Sequence, residues 1–289
     1  MRRSTILLPF RPRPVALMKT RPRYALFPVF TLALIALLGV GSADAEEPVP
    51  DQLSLRLGGY NVRNASAIVR RDSPNVVGAY IDFNETLGGE STASVFRFDG
   101  LYRFNQYHAL GFSWYSINFS GSRAVSNVVW GDQTYDLQLD SKLEFDVYKL
   151  NYQYSVHHDD KVELGALFGF HVLKTGISLN GFNTGSAVQS SSESVTAPLP
   201  VFGLFARYNF TRELSAYYNY QWFFVNYEDK VKGGLQDFLF GLEYRLVENV
   251  SLGAAYNRFG LHMKAKRDSS TLYVDTNWNG AMLYAGLHF

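Results

Sequence analysis

The chain has no cysteine among its 289 residues, which excludes disulfide staples, a thiolate metal site and a cysteine nucleophile. Proline is scarce, with 10 residues, and charged side chains make up only 18%. Hydrophobic residues at 47% and aromatics at 16% rule out a disordered polymer. Beyond residue 45 no stretch approaches the roughly 18 consecutive apolar residues of a membrane helix. Long stripes of helical period are also lacking. The net charge of +1 is uneven along the chain. Residues 1–45 hold Arg2, Arg3, Arg11, Arg13, Lys19, Arg21 and Arg23 against the single acid Asp44. The remainder has 20 bases (27 less seven) and 25 acids (26 less one), a net charge of −5. Bulk electrostatics therefore exclude nucleic acid as a partner.

What is present begins with an address. Val29–Gly41 is an apolar run of 13 residues, preceded by basic residues and followed by Ser42-Ala43-Asp44-Ala45. That is the layout of a secretory signal with cleavage expected after Ala45. The run is too short for a stable spanning helix, which needs about 20 apolar residues. Met18-Lys19 would make a conventional start, leaving 1–17 as a candidate mis-assigned upstream start. The signal and the missing cysteines point to a bacterial envelope protein beyond the inner membrane. A single domain is expected over 46–289.

That region alternates with period two over segments of about ten residues. Leu214, Ala216, Tyr218, Tyr220, Trp222 and Phe224 alternate with Ser215, Tyr217, Asn219, Gln221 and Phe223. Phe238, Phe240, Leu242, Tyr244 and Leu246 alternate with Leu239, Gly241, Glu243 and Arg245. Tight turns are expected at 104–108, 157–160, 209–213 and 247–249. Longer polar connections are expected at about 65–93, 120–141, 176–197, 227–234 and 264–277. The third of these holds the Ser-rich tract Gln189–Ser194. Short and long connections alternate strictly. Between them lie ten strands: 52–64, 94–105, 107–120, 141–156, 161–176, 197–210, 213–228, 234–247, 249–265 and 277–289. Eight or twelve strands remain open, because the alternation weakens around 60–95 and 120–145.

Alternation alone does not say which face is wet. Three features favour lipid outside and polar groups within. The connections differ in length at the two ends. Aromatic residues gather toward strand ends: Tyr102, Phe104, Tyr152, Tyr154, Tyr208 and Phe210 toward one, Trp114, Trp222 and Phe224 nearer the other. The last strand places Ala281, Leu283, Ala285, Leu287 and Phe289 on one face. This final strand resembles the insertion signal of bacterial outer-membrane β-barrel proteins, carried here by Leu283, Leu287 and Phe289. With the signal segment and the hairpin spacing, the mature chain resembles the small barrels of that class, broadly OmpA- or OmpW-like. The resemblance implies an all-β, closed antiparallel transmembrane barrel in the bacterial outer membrane. Its implied partners are outer-membrane lipid, lipopolysaccharide and the insertion machinery. It carries no substrate, and ten strands departs from the eight of those two archetypes.

If Phe289 faces lipid, the opposite parity faces the lumen. That parity holds Arg56, Arg97, Asp99, Arg103, Lys149, Glu163, His171, Arg207, Glu243 and Arg245. Six bases against three acids lean basic, although acids such as Asp237 offset this. The leading reading is a non-enzymatic, structural or surface-exposed barrel whose ion-pair network plugs a narrow lumen; the alternatives are a narrow channel for small anionic or amphipathic solutes and an enzyme sited at the outer rim. Ten strands leave little room for a wide channel. No catalytic constellation is legible. There is no G-x-S-x-G, and His157-His158-Asp159-Asp160 falls on a turn, where adjacent side chains diverge. His171 reads as a network member; His108, His262 and His288 read as interfacial. Asp82 and Glu85 read as loop acids. Gly88-Gly89 and Gly233-Gly234 read as turn glycines. The acids Asp72, Glu85, Glu90, Asp132, Asp136, Asp140, Glu144 and Asp146 could bind divalent cations that bridge lipopolysaccharide. No enzyme, cofactor or metal is expected.

Overall fold

A computed structural model describes residues 51–72, 80–130, 133–182, 188–227, 230–267 and 270–289. The expected signal segment and Asp132 lie outside them. The strands are β1 (Leu53–Asp72), β2 (Ile81–Asp82), β3 (Ala93–Arg103), β4 (His108–Trp130), β5 (Gln133–His158), β6 (Val162–Phe182), β7 (Val188–Asn209), β8 (Leu214–Tyr227), β9 (Val231–Val247), β10 (Val250–Arg267) and β11 (Ser270–His288). No α-helix occurs among the described residues. Every long strand pairs antiparallel with its sequence neighbour, and β11 pairs back onto β1 from Ser54↔His288 to Asp72↔Thr271. The ten long strands therefore close into a barrel through the lower half; above it β3 stops pairing with β4 at Arg97↔Tyr115 and β7 stops pairing with β8 at Phe202↔Trp222.

The four tight turns stand where the sequence places them, and in three of them a side chain accepts the turn N–H groups. The Asn105 carbonyl accepts the Tyr107 and His108 N–H groups, and Asp159 accepts those of Lys161 and Val162. Thr211 Oγ1 accepts those of Glu213 and Leu214. At the other end the expected long loops are corrected. The residues of 120–141, 176–197, 227–234 and 264–277 mostly continue the strands as paired hairpins. The Ser-rich tract lies within β7, and Gly233-Gly234 lie within β9 rather than on a turn. Only the β1–β3 connection departs from this pattern. β1 leaves β3 at Val62↔Ala93 and carries a bulge between Arg63 and Ser66, where Asn64 takes φ 50°. Residues 81–90 then fill the gap between β1 and β4. The Phe83 N–H donates to Ala67 O, and the Glu90 N–H to Ser120 O. Gly89 bridges Gly121 so closely that a Cβ on Gly121 would lie 2.8 Å from the Gly89 Cα.

The long strands carry two environments in series. Along the lower part of β5, Tyr148, Leu150, Tyr152, Tyr154 and Val156 point outward and are exposed, while Lys149, Asn151 and Ser155 are buried inside. Toward the upper end of the same strand, Lys142, Glu144 and Asp146 point outward, while Leu143, Phe145 and Val147 are buried. The same reversal divides Trp114 from Ser116 on β4, Val172 from Lys174 on β6 and Tyr256 from Arg258 on β10. The expected polar lumen along the whole barrel is thus corrected. It holds in the lower half and inverts in the upper half.

Solvent explains both halves. Apolar side chains face outward where the surroundings are hydrocarbon, and they turn inward where water begins. From Val156 to Tyr148 the outward belt is about 21 Å tall, from roughly 3.4 Å per residue and a tilt near 40°, close to the ~25 Å band of membrane barrels. One substitution tests the boundary: Leu150→Arg should cost about 2–4 kcal/mol in a denaturant titration of the barrel refolded into lipid vesicles. Ser116→Arg, on the outward face of β4 above the belt and directly opposite Asp146, should be close to neutral.

Candidate functional site

The candidate site is the lower lumen. Alternation on β1, β3, β5, β6, β7 and β9 turns Arg56, Arg97, Asp99, Arg103, Lys149, Glu163, His171, Arg207, Glu243 and Arg245 inward, as the sequence parity predicts. Charges held inside low-dielectric walls need partners, and each base has one. At the floor, Arg245 pairs with Asp51, which also meets His288 Nδ1 at 3.2 Å. Partial burial pushes the Asp51 carboxyl up, but hydrogen bonds and charge from His288 and Arg245 outweigh it and hold its pKa at about 2. Above the floor, Arg56 Nε donates to Glu243 Oε2 at 2.7 Å, and Tyr284 Oη donates to the same oxygen at 3.0 Å. Arg207 reaches Glu243 at 4.0 Å. Across the lumen, Arg103 Nη2 donates to Glu163 Oε2 at 2.6 Å, and Ser155 Oγ donates to the other oxygen at 2.6 Å.

The topmost polar layer is the most enclosed. Lys149 pairs with Asp237, and both are nearly fully buried. Asn257 Nδ2 donates to Asp237 Oδ1 at 2.7 Å, while its own carbonyl accepts Tyr60 Oη at 3.1 Å and Arg97 Nη1 at 3.3 Å. Arg97 also pairs with Asp99 at 2.9 Å, and Ser113 donates to Asp99. His171 Nε2 lies 2.9 Å from Gln221 Oε1. Tyr115 packs against both cations: its ring centroid is 5.1 Å from Arg97 Cζ and 5.3 Å from Lys149 Nζ, a cation–π arrangement. Asn257, Tyr60 and Tyr115 complete this layer and were not singled out from the sequence. Their inward parity is the signal that could have found them. Asp237 and Asp51 remove most of the basic excess that the sequence suggested. The cavity left among these groups is about 120 Å³ and is lined by Arg56, Arg97, Lys149, Glu163, Tyr217 and Asp237 among others.

Directly above lies an apolar plug. Trp278 stacks on Phe259 with ring centroids 4.1 Å apart and planes 16° from parallel, and Phe145 packs against it at 5.5 Å. Ile117, Phe119, Leu139 and Leu179 from the walls join the same buried cluster, as do Ile81, Phe83 and Leu87 from the segment that fills the gap.

The remaining sequence candidates stay apart from the lumen. Leu283, Leu287 and Phe289 share the outward face of the final strand, with Leu283 and Phe289 strongly exposed. His157 pairs with Asp159 on the lower turn at 2.9 Å, and His262 pairs with Asp275 on the outer wall at 3.1 Å. His288 is an exception to its interfacial reading: it lies inside at the floor, between Ser54 and Ser251. Asp82 Oδ1 accepts the Asn84 and Glu85 N–H groups of a turn. Asp72 pairs with Arg70, Glu144 with Lys142, and Asp146 lies 3.9 Å from Lys174. Among the described residues no three His, Asp or Glu side chains converge as metal ligands.

No family model and no curated protein matches this chain. Solved structures do resemble it. The outer membrane protease OmpT from Escherichia coli aligns over 86% of this chain and 100% of its own, at 9% identity and a TM-score of 0.52. The outer membrane protein OprG from Pseudomonas aeruginosa aligns over 85% and 99%, at 12% identity and a TM-score of 0.40. The toluene transporter TodX from Pseudomonas putida aligns over 83% and 91%, at 8% identity and a TM-score of 0.37. At these identities the likeness is one of fold. The fold is that of the bacterial outer-membrane β-barrels.

Proposed function

We propose that this chain is a non-enzymatic outer-membrane barrel with a closed lumen, whose upper half stands in water as a surface-exposed platform. The observation that carries the reading is double closure. An ion-pair layer around Lys149 and Asp237 is roofed by an apolar cluster around Trp278. A hydrated ion would have to break buried charge pairs and then cross packed aromatic rings, and both steps are costly. The short turns would face the periplasm, and Phe289 with Leu287 and Leu283 would present the recognition strand to the insertion machinery.

The rival reading is a narrow anion channel. It needs unmatched positive charge along an open path, and the pairing of each mapped base speaks against it. A rim enzyme, by analogy with the protease named above, needs a nucleophile or activated water beside a base. His262 and Asp275 form an exposed dyad, but among the described residues no serine or threonine hydroxyl bonds to either one. In planar bilayers the purified barrel should give no steady unitary steps. Steady anion-selective steps would overturn closure and favour the channel.

A further inference from the structure

Above the lipid belt the outer wall is electrically lopsided. On β5 and β6 the outward charges are balanced in sign: Lys142 and Lys174 against Glu144 and Asp146, with Lys142 and Glu144 paired to each other. On the wall formed by β9, β10, β11 and β1 the outward charges are mostly basic. Arg63 on β1 and Arg258 on β10 both stand in register with Asn279 on β11 between them. Two strand spacings separate them, roughly 9.6 Å. Arg258 lies two residues beyond Tyr256, about 7 Å along the strand from the last lipid-facing ring. Higher on the same wall, Lys232 and Lys264 are directly paired across strands, with Lys266 beyond. Like charges placed directly opposite destabilise a sheet. The acids on this face are already engaged, Asp275 by His262 and Asp72 by Arg70.

We infer that this wall binds the phosphate groups of an acidic lipid of the outer leaflet. Arg63 and Arg258, with Asn279 between them, would grip at headgroup level, and the Lys232–Lys264 pair would meet phosphates on the sugar portion above. The position selects a lipid over a free ion. The two arginines sit where acyl chains end, so a ligand whose tails lie against Tyr256 and Ala281 delivers its headgroup to them. Arginine suits phosphate through its forked donors. The inference rests on the membrane reading of the belt but not on lumen closure. A barrel that conducts yet shows the lipid dependence below would refute closure alone.

The test titrates lipid A carrying both phosphates into the folded barrel in detergent, with bound lipid counted by native mass spectrometry. The double variant Arg63→Gln/Arg258→Gln should bind about thirtyfold more weakly, since each basic residue near an anionic surface is worth roughly a factor of five. Arg63→Lys/Arg258→Lys should bind more tightly than the Gln variant and more weakly than the unaltered protein, because charge is kept and the forked donors are lost, and Lys142→Gln/Lys174→Gln on the far wall should bind as the unaltered protein does. Enzymatically dephosphorylated lipid A should bind the unaltered protein no better than the phosphorylated lipid binds the Arg63→Gln/Arg258→Gln variant. Heat-modified mobility on a detergent gel shows that each variant is folded. Equal binding by the Gln variant, or inorganic phosphate displacing the lipid at equimolar concentration, would overturn the inference.

Discussion

Replacing Lys149 with Met should destabilise the barrel by about 3–5 kcal/mol, the cost of leaving a buried carboxylate without its countercharge. Asp237 lies in a fully enclosed layer and would keep only the Asn257 amide as a hydrogen-bonding neighbour and His171 at 3.9 Å. Met matches the length of the lysine stem, so packing against Tyr115 is largely kept and the loss reports charge. The double variant Lys149→Met/Asp237→Leu should recover most of the loss, because exchanging a buried pair for apolar side chains is often neutral. The measurement is the urea midpoint for refolding into lipid vesicles. A single variant as stable as the parent would mean that water reaches Asp237, and the lower lumen would then be open.

Trp278→Ala should cost a similar amount, about 3–5 kcal/mol, through loss of a large buried ring and the void it leaves. The side chain points toward the barrel axis, where a water-filled pore would hold solvent. In a hydrated lumen the same truncation would be nearly free and would widen the conducting path. Here the ring is sandwiched by Phe259 and Phe145, and the cavity it vacates would be dry and lined by rings and aliphatic groups. Conductance should stay absent in Trp278→Ala, because the charged layer around Lys149 still blocks the way. The expected signature is therefore reduced stability with unchanged permeability. Unchanged stability with new conductance would contradict the plug.

Much of this was legible in the sequence, for reasons visible in individual residues. Asn105, Asp159 and Thr211 mark turns because their side chains replace backbone partners, and the hairpins between them follow. The inward placement of Glu243, Arg245 and Lys149 followed from parity with Phe289 and from the cost of charge in hydrocarbon. The upper half is less legible because one face of each strand meets two solvents in turn. Leu143, Phe145 and Val147 share parity with Lys149 and Asn151, so the periodicity continues while the polarity flips. Polar outward residues such as Ser190, Ser192 and Ser194 then read as loop, although they are the wet face of β7. The gap-filling segment was hidden for another reason. Ile81, Phe83 and Leu87 acquire their burial only because β3 begins at Ala93 and leaves the wall open above it.

The reversal of polarity along the strands is directly measurable, because the chain has no cysteine of its own. Single cysteines placed along β5 of the barrel in lipid vesicles can be challenged with a membrane-impermeant maleimide. Positions 142, 144 and 146 should label readily, positions 148, 150, 152 and 154 should be protected, and positions 143, 145 and 147 should be protected as well. Protection at 142–146 equal to that at 148–154, or ready labelling at 143–147, would contradict the account.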